Sequence, residues 1–133
     1  MSEYVIDASA LVDAIAKKDS AAEATAERIF EATGHAPHLI DAEVGDVLRQ
    51  LVHRKEITAE TALTALHALP NLVDFRYSHT RKLLGLAWEL RHNISFYDGL
   101  YVALATVLDL PLLTGDVKLS KAPGLTCVVE LIR

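Results

Sequence analysis

The stretch Tyr4-Val5-Ile6-Asp7-Ala8-Ser9-Ala10-Leu11 decides how the rest of the chain is interpreted. Val5 and Ile6 favour a short buried strand. Asp7 and Ser9 suit the turn into a helix, because both side chains can accept hydrogen bonds from the free N–H groups at a helix start. In an open parallel sheet, ligands bind beyond the carboxyl ends of the strands. Asp7 is therefore either a helix cap or part of a binding site at such an end, and this stretch alone leaves both interpretations open.

Length and composition predict one domain, residues 1–133, with a sizeable core. A chain of 133 residues buries roughly two-thirds of its unfolded surface. The hydrophobic fraction of 51% is high for a small protein and favours an apolar patch that is used in association. The single cysteine, Cys127, excludes an internal disulfide and fits a reducing compartment.

The sequence shows no targeting signal, which favours a cytoplasmic protein. No apolar run reaches the ~18 residues that span a bilayer, and no membrane partner is expected. The N-terminus lacks a basic segment, and Asp7 and Asp13 interrupt its apolar stretch, so no signal peptide is predicted. The net charge of −5 argues mildly against nucleic acid, since nucleic-acid-binding domains are often basic. That objection weakens if part of the acidity belongs to a metal site.

Hydrophobic periodicity and chain breakers predict alternating strands and helices. The predicted strands are residues 4–6, 38–40, 72–76, 110–114 and 126–132. The predicted helices are residues 9–16, 21–31, 40–54, 58–69, 78 or 80 to 91, 95–108 and 116–121. The segment Thr33–Pro37 is predicted to end the helix over residues 21–31, and Pro70 is predicted to end the helix over residues 58–69. The alternation predicts an α/β fold with a parallel sheet covered by helices on both faces.

Four carboxylates fall at strand ends or helix starts: Asp7, Glu43, Asp98 and Asp116. Each has an ordinary structural explanation. Glu43 lies in a first helical turn, where a negative charge is favoured. Asp98 follows Ser95 by three residues, which is close to a capping box. Asp116 begins a helix after a glycine turn. In the helix that carries Glu43, Asp41 is a candidate cap, whereas Asp46 points away from the apolar stripe and is expected to be solvated.

Taken together, the four acids favour a metal site. Neighbouring strands would bring Asp7 and Asp116 together, and flanking helices could add Glu43 and Asp98. Two like charges ~4 Å apart repel by about 4 kcal/mol at an effective dielectric of 20, so such a cluster must bind protons or a cation. Oxygen ligands select hard ions such as Mg²⁺ or Mn²⁺. A carboxylate-bound Mg²⁺ can activate a water and neutralise a phosphate, which implies hydrolysis of a phosphodiester.

Four stretches, in order along the chain, resemble the PIN-domain ribonucleases. They are Val5–Leu11, Ile40–Val44 leading to Leu48-Arg49, Tyr97–Ala105 and Leu113–Asp116. The chain is most similar to the VapC-type toxins of bacterial type II toxin–antitoxin systems, and the resemblance covers essentially its whole length. It implies a PIN-like three-layer α/β/α sandwich around a central parallel sheet of about five strands.

The resemblance also assigns roles to residues. The implied catalytic residues are Asp7, Glu43, Asp98 and Asp116. Asp7 and Asp98 would bind Mg²⁺, or Mn²⁺, directly, whereas the other two acids would complete the pocket by orienting waters or a second ion. Ser9 and Thr114 would support the pocket with their hydroxyls.

The function that the resemblance implies is a Mg²⁺-dependent endoribonuclease acting as the toxin of a toxin–antitoxin pair. Its partners would be an RNA substrate, a second copy in a homodimer, and a VapB-type antitoxin that covers the groove. The alternatives are a PIN-fold RNA-processing nuclease outside a toxin system and a non-catalytic PIN-fold binding module. Candidate phosphate contacts are Lys17, Lys18, Arg49, Arg54, Arg81, Lys82, Lys118 and Lys121.

Overall fold

The computed structural model describes residues 2–132. In that part of the chain the strands are β1 (Glu3–Ile6), β2 (Thr33–Pro37), β3 (Phe75–Tyr77), β4 (Leu112–Thr114) and β5 (Val129–Leu131). The helices are α1 (Ala8–Ala16), α2 (Ser20–Glu31), α3 (Leu39–His53), α4 (Ala59–Leu72), α5 (Arg81–Glu89), α6 (Phe96–Leu108) and α7 (Val117–Ser120). All the strand pairs are parallel, and the strands form one sheet in the order β3-β2-β1-β4-β5.

The strand order places helices on both faces of the sheet. The chain moves outward from β1 to β2 and β3, then returns to the other side of β1 to form β4 and β5. Crossovers between parallel strands are right-handed in nearly all proteins, so α1 to α4 cover one face and α5 to α7 cover the other. The predicted α/β/α sandwich with a parallel five-stranded sheet is confirmed. The direction of the strand order reverses between β1 and β4, which is where such sheets bind ligands.

Polar side chains fix the starts of most helices. A side-chain oxygen of the preceding residue accepts a hydrogen bond from an N–H group of the first turn in α2, α4, α5 and α6; these residues are Asp19, Thr58, Thr80 and Ser95. The helix α3 has no such cap. Asp41, the predicted candidate, instead accepts two hydrogen bonds from the Arg76 guanidinium, at 2.7 and 2.8 Å. Asp46 is exposed, as predicted.

The prediction for the second strand is wrong. The segment Thr33–Pro37, predicted only as the break after a helix, forms β2 and lies between β1 and β3. Gly34 is there for close packing rather than for a turn, because a Cβ on it would lie 2.8 Å from the carbonyl oxygen of Leu72. Residues 38–40, predicted as the strand, instead lead into and begin α3.

Pro70 does not end α4, which continues to Leu72. Proline removes one backbone hydrogen bond from a helix, and here it does so only in the last turn. Leu69 and Leu72 on either side of it are buried in the core, and their packing offsets that loss. As a consequence, the third strand begins at Phe75 and not at residue 72.

The helix α6 has the longest buried run among the helices of residues 2–132, with every residue from Gly99 to Ala105 buried. Gly99 lets it approach α5, since a Cβ there would lie 3.1 Å from the carbonyl oxygen of Ala87. The helix predicted over residues 95–108 is confirmed, with its bounds at Phe96 and Leu108. Apolar as it is, α6 has 13 residues, and no helix in the described part of the chain combines the length and the apolarity needed to cross a membrane.

Candidate active site

All four predicted acids line one cavity at the carboxyl edge of the sheet. Its volume is about 310 Å³, and we call it the acid cavity. Asp7 follows β1, Asp116 follows β4, Glu43 projects from α3, and Asp98 projects from the first turn of α6. The strand ends that flank the reversal of strand order therefore supply two of the acids, and a helix from each face of the sheet supplies one more.

Asp7 is held at both carboxylate oxygens. Its Oδ1 accepts hydrogen bonds from the Ser9 hydroxyl at 2.7 Å and from the Ala10 N–H at 3.0 Å, and its Oδ2 accepts one from the Thr114 hydroxyl at 2.5 Å. The hydroxyls are themselves fixed, because the Gly115 N–H donates to Ser9 at 2.9 Å and the Asp116 N–H donates to Thr114 at 3.0 Å. Ser9 and Thr114 thus contact Asp7 as the resemblance implies.

Burial and like charge raise the pKa values of carboxyl groups in the acid cavity. Burial raises the pKa of Asp7, which is only 4% exposed; the hydrogen bonds from Thr114, Ser9 and Ala10 oppose this, and the charge of Asp98 adds to it. Burial also raises the pKa of Asp98, and the charge of Asp116 raises it further. These carboxylates are neighbours of like charge in a partly dry site, where the charged form is disfavoured.

Glu43 faces Tyr101 across the acid cavity. Burial raises the pKa of Glu43; the nearby Tyr101 hydroxyl lowers it, and the charges of Asp98 and Asp7 raise it. The contact is loose, however: neither Oε1 of Glu43 nor the Tyr101 hydroxyl has a hydrogen bond of normal geometry within residues 2–132. A buried oxygen that accepts no hydrogen bond is costly. Oε1 of Glu43 is therefore available as a hydrogen-bond acceptor.

Asp98 and Asp116 have structural roles as well. The N–H of Asp98 donates to the Ser95 hydroxyl that caps α6, at 3.1 Å. Oδ1 of Asp116 caps α7 by accepting hydrogen bonds from the N–H groups of Lys118 and Leu119, at 2.9 and 3.2 Å. The side chain of Asp116 therefore both caps α7 and lines the acid cavity, whereas Asp98 takes part in the α6 cap only through its backbone N–H.

The donor chemistry of the acid cavity fits a hard divalent cation. Its lining includes five carboxylates and the hydroxyls of Ser9 and Tyr101; the carboxylates are those of Asp7, Asp13, Glu43, Asp98 and Asp116. Oxygen ligands are those that Mg²⁺ and Mn²⁺ prefer. The acids are not a ready-made cage, since no three His, Cys, Asp or Glu side chains in residues 2–132 are grouped closely enough to hold an ion. Metal binding by these residues therefore stays a prediction.

A second cavity, larger and more basic, adjoins the first. It has a volume of about 760 Å³ and shares Asp98 and Asp116 with the acid cavity. Its remaining charged or titratable lining residues are Arg91, His92, Lys118 and Lys121. We call it the basic cleft.

The predicted phosphate contacts separate into distinct groups. Two of them, Lys118 and Lys121, line the basic cleft, and Lys17 lines the acid cavity. Lys18 lines a different pocket beside the end of α1. The other four candidates line neither of the two cavities; they are Arg49, Arg54, Arg81 and Lys82.

The predicted set omits several lining residues of the two cavities, among them Asp13, Arg91 and Tyr101. Asp13 lies one helical turn after Ser9 in α1, and this spacing is a signal that could have found it. It binds Lys17 at 2.8 Å and lies so near Gly115 that a Cβ there would be 2.7 Å from its Oδ2. Tyr101 is one turn beyond Asp98 on α6, whereas Arg91 has no comparable signal in the sequence.

The PIN-domain family model matches residues 4–125. The chain belongs to the PIN-domain family. This PIN domain is 53% identical over 133 residues to Ribonuclease VapC1 of Mycobacterium tuberculosis, and both chains are covered completely. At that identity and coverage it also belongs to the VapC-type group, as its sequence motifs predict.

Solved structures share the PIN fold at lower identity. VapBC2 from Rickettsia felis, in a structure bound to a DNA fragment from their promoter, has a TM-score of 0.69 and 17% identity, covering 97% of this chain and 98% of that one. VapC20 of Mycobacterium tuberculosis, described as a sarcin-ricin loop cleaving toxin, has a TM-score of 0.65 and 20% identity over 94% and 98% of the two chains. At these identities, the similarity shows the fold alone.

Proposed function

We propose that this protein is a Mg²⁺-dependent endoribonuclease that acts as the toxin of a toxin–antitoxin pair. It hydrolyses RNA phosphodiester bonds with a metal-activated water. One observation carries the proposal: in a VapC-type chain, four acids from separate elements line one cavity at the reversal of strand order, where sheets of this class bind ligands.

The donor set suits Mg²⁺, with Mn²⁺ as the alternative. Asp7 and Asp98 would hold the ion directly, and Glu43 and Asp116 would complete the pocket. Mg²⁺ keeps several of its waters and usually takes only one or two carboxylates from a protein, so the absence of a three-ligand cage in residues 2–132 is compatible with it. The bound ion supplies a water of lowered pKa and a positive charge for the phosphate.

The residues of the chain prepare the site in three ways. Ser9 and Thr114 donate to Asp7 and fix the direction of its carboxylate. The raised pKa values of Asp7, Glu43 and Asp98 mean that these groups take up protons more readily than exposed acids do, and binding of a cation releases those protons. Oε1 of Glu43, which has no partner in residues 2–132, orients the attacking water.

The proposed partners follow from the same assignment. They are RNA as substrate, a VapB-type antitoxin, and a second copy of the chain in a homodimer, all in the cytoplasm. The similar proteins are named as a ribonuclease and a VapBC complex, which supports RNA as the substrate and an antitoxin as the partner. Leu84 and Trp88, one turn apart on α5, are 40% and 59% exposed, and exposed apolar side chains of this size support association.

The substitution Asp98→Asn tests the catalytic proposal. It removes one charge from the acid cavity but keeps the backbone N–H that the α6 cap uses, so we expect the folded protein to lose both RNA cleavage and growth arrest. The matched control is Asp109→Asn at the other end of α6, where the backbone is left-handed, with φ 55°, a conformation that asparagine tolerates. Cellular RNA is incubated with each purified variant and Mg²⁺, and the RNA ends are mapped.

Three outcomes contradict the proposal in whole or in part. Full cleavage by the Asp98→Asn protein would show that the acid cavity does not take part in the reaction. A wild-type protein that cleaves no cellular RNA with any divalent metal, yet binds a partner tightly, favours the binding module. Metal-dependent cleavage without growth arrest on expression favours the RNA-processing alternative.

A further inference from the structure

The cations of the basic cleft are free to bind an external anion. Within residues 2–132, Arg28, Arg49 and Arg76 each form an ion pair with a carboxylate. No such pair involves the three cations of the cleft, Arg91, Lys118 and Lys121. Three positive side chains that form no ion pair within residues 2–132 thus gather in one cleft beside the acid cavity.

The walls of the basic cleft are fixed by packing. One wall is the α5–α6 connection, residues 91–95, and the other runs through α7 to Pro123. The walls meet at Gly124, whose φ of +74° favours glycine and where a Cβ would lie 2.6 Å from Nδ2 of Asn93. Arg91 is anchored as well: its guanidinium lies 4.9 Å from the centre of the Trp88 ring and donates to the Trp88 carbonyl at 3.0 Å.

The basic cleft and the acid cavity adjoin each other, because Asp98 and Asp116 border both. A ligand that lies along the cleft therefore reaches these two acids. The volume of about 760 Å³ is within the ~300–1,000 Å³ of pockets that enclose small ligands. The cleft therefore suits a short piece of a single strand rather than a duplex.

We infer that the basic cleft binds the backbone phosphates of the single-stranded RNA segment next to the bond that the acid cavity cleaves. This inference rests on the proposed function. The planar guanidinium of Arg91 matches a phosphate. Lys118 in α7 and Lys121 just after it present two further positive charges on the opposite wall. An acidic protein can bind a polyanion in this way because local potential, and not net charge, attracts the ligand.

The test compares two double variants that each remove two positive charges. Lys118→Ala with Lys121→Ala removes both positive charges from one wall of the basic cleft. Arg81→Ala with Lys82→Ala removes two exposed cations of α5 that lie outside both cavities. Binding of a fluorescein-labelled single-stranded RNA is measured by anisotropy without divalent metal, over a range of KCl concentrations, and thermal unfolding confirms that both variants are folded.

We expect the cleft variant alone to lose affinity, by about tenfold for 1.4 kcal/mol of lost phosphate attraction. The slope of log K against log salt should fall in magnitude by about 1.4, since each phosphate contact to a single strand contributes about 0.7. Single-stranded DNA of the same sequence should lose the same factor, because the contacts are to phosphate.

Two results overturn the inference. One is an unchanged affinity and salt slope in the cleft variant. The other is an equal loss in both double variants, which would mean that the basic cleft is not a preferred site for phosphate. Neither result bears on the proposed function, which the cleavage assay of the Asp98→Asn protein tests separately.

Discussion

Asp7 and His35 are two buried polar groups, Asp7 just after β1 and His35 in the neighbouring strand β2. They are 4% and 6% exposed, and each of their polar side-chain atoms has a hydrogen-bond partner. His35 lies inside β2, where Nδ1 is 2.7 Å from the Tyr77 hydroxyl and Nε2 is 2.8 Å from the Glu3 carboxylate. Its ring also stacks on Phe75, with the ring centres 5.2 Å apart.

The difference between the two groups lies in their position and in their neighbours. His35 sits mid-strand between the Tyr77 hydroxyl and the Glu3 carboxylate, so its polar contacts hold three strands together. Asp7 sits beyond a strand end and shares a cavity with other carboxylates. Burial and hydrogen bonding alone therefore do not separate Asp7 from His35, whereas the carboxylates gathered around the acid cavity do. The predictions below test that distinction.

The largest effect is expected from Asp7→Asn. Asparagine keeps the Oδ1 atom that caps α1 but removes the charge, so the protein should fold and lose at least about 100-fold in cleavage rate. That figure is a lower bound, since even the outer partners of metal ligands are worth about 10–100-fold. Single-turnover cleavage of RNA with excess Mg²⁺ measures it. Asp19→Asn is the control, because Asp19 caps α2 in the same way but lies outside the acid cavity; comparable losses in both variants would contradict the distinction.

His35→Ala should show the opposite pattern. Losing the stacked ring and its two hydrogen bonds should lower the free energy of unfolding by about 2–4 kcal/mol. The cleavage rate per folded molecule should not change, because His35 lines neither cavity. Urea unfolding gives the stability, and the rate is measured well below the unfolding transition. A stable His35→Ala protein that no longer cleaves RNA would assign this cluster to the active site.

A smaller effect is a pH dependence of stability that belongs to the acid cavity. The folded pKa values of Asp7, Glu43 and Asp98 are raised above their ordinary values of 3.8 for Asp and 4.5 for Glu. The folded state therefore binds more protons than the unfolded state above those values, and the contribution of these acids to stability falls as pH rises. We expect Mg²⁺ to raise the melting temperature more at pH 7 than at pH 5.

Glu43→Gln should flatten this pH dependence, because it removes one of the three raised carboxyls. Glu27→Gln is its control, since Glu27 is an exposed residue of α2. Melting temperatures are recorded from pH 4.5 to pH 7.5 in EDTA and again in Mg²⁺. Identical curves for both variants would mean that the acid cavity does not set the dependence.

The smallest effect is expected from Tyr101→Phe. The Tyr101 hydroxyl is buried without a hydrogen bond of normal geometry in residues 2–132, so its removal should leave the free energy of unfolding unchanged or raise it by about 1 kcal/mol. The pKa of Glu43 should rise further, because the hydroxyl lowers it. Denaturant unfolding and the pH–rate profile measure the two effects; a large loss of stability would show that the hydroxyl has a partner after all.

The sequence was sufficient for the features that local chemistry determines. The starts of α4 and α6 are marked by Thr58 and Ser95, which cap them. Asp7 and Asp116 could be placed at one edge of the sheet because the carboxyl ends of parallel strands share an edge. These signals need only neighbouring residues and the general geometry of a parallel sheet.

The features that the sequence did not reveal depend on distant contacts. In β2, Gly34 and Pro37 are turn residues by local preference, and only the strands on both sides of them and the Leu72 carbonyl explain the strand. Arg91 joins the basic cleft because a turn more than twenty residues later packs against its loop. Packing across such separations leaves no periodic pattern in the sequence.

The hydrogen bond between Asp7 and Thr114 joins residues 107 positions apart. During translation the N-terminal part of a chain emerges first, so Asp7 leaves the ribosome long before Thr114 and Asp116 do. A chain that stops before Thr114 therefore has no complete acid cavity. If the protein is the nuclease proposed above, its own messenger RNA and ribosome are protected from it until Asp116 has been synthesised.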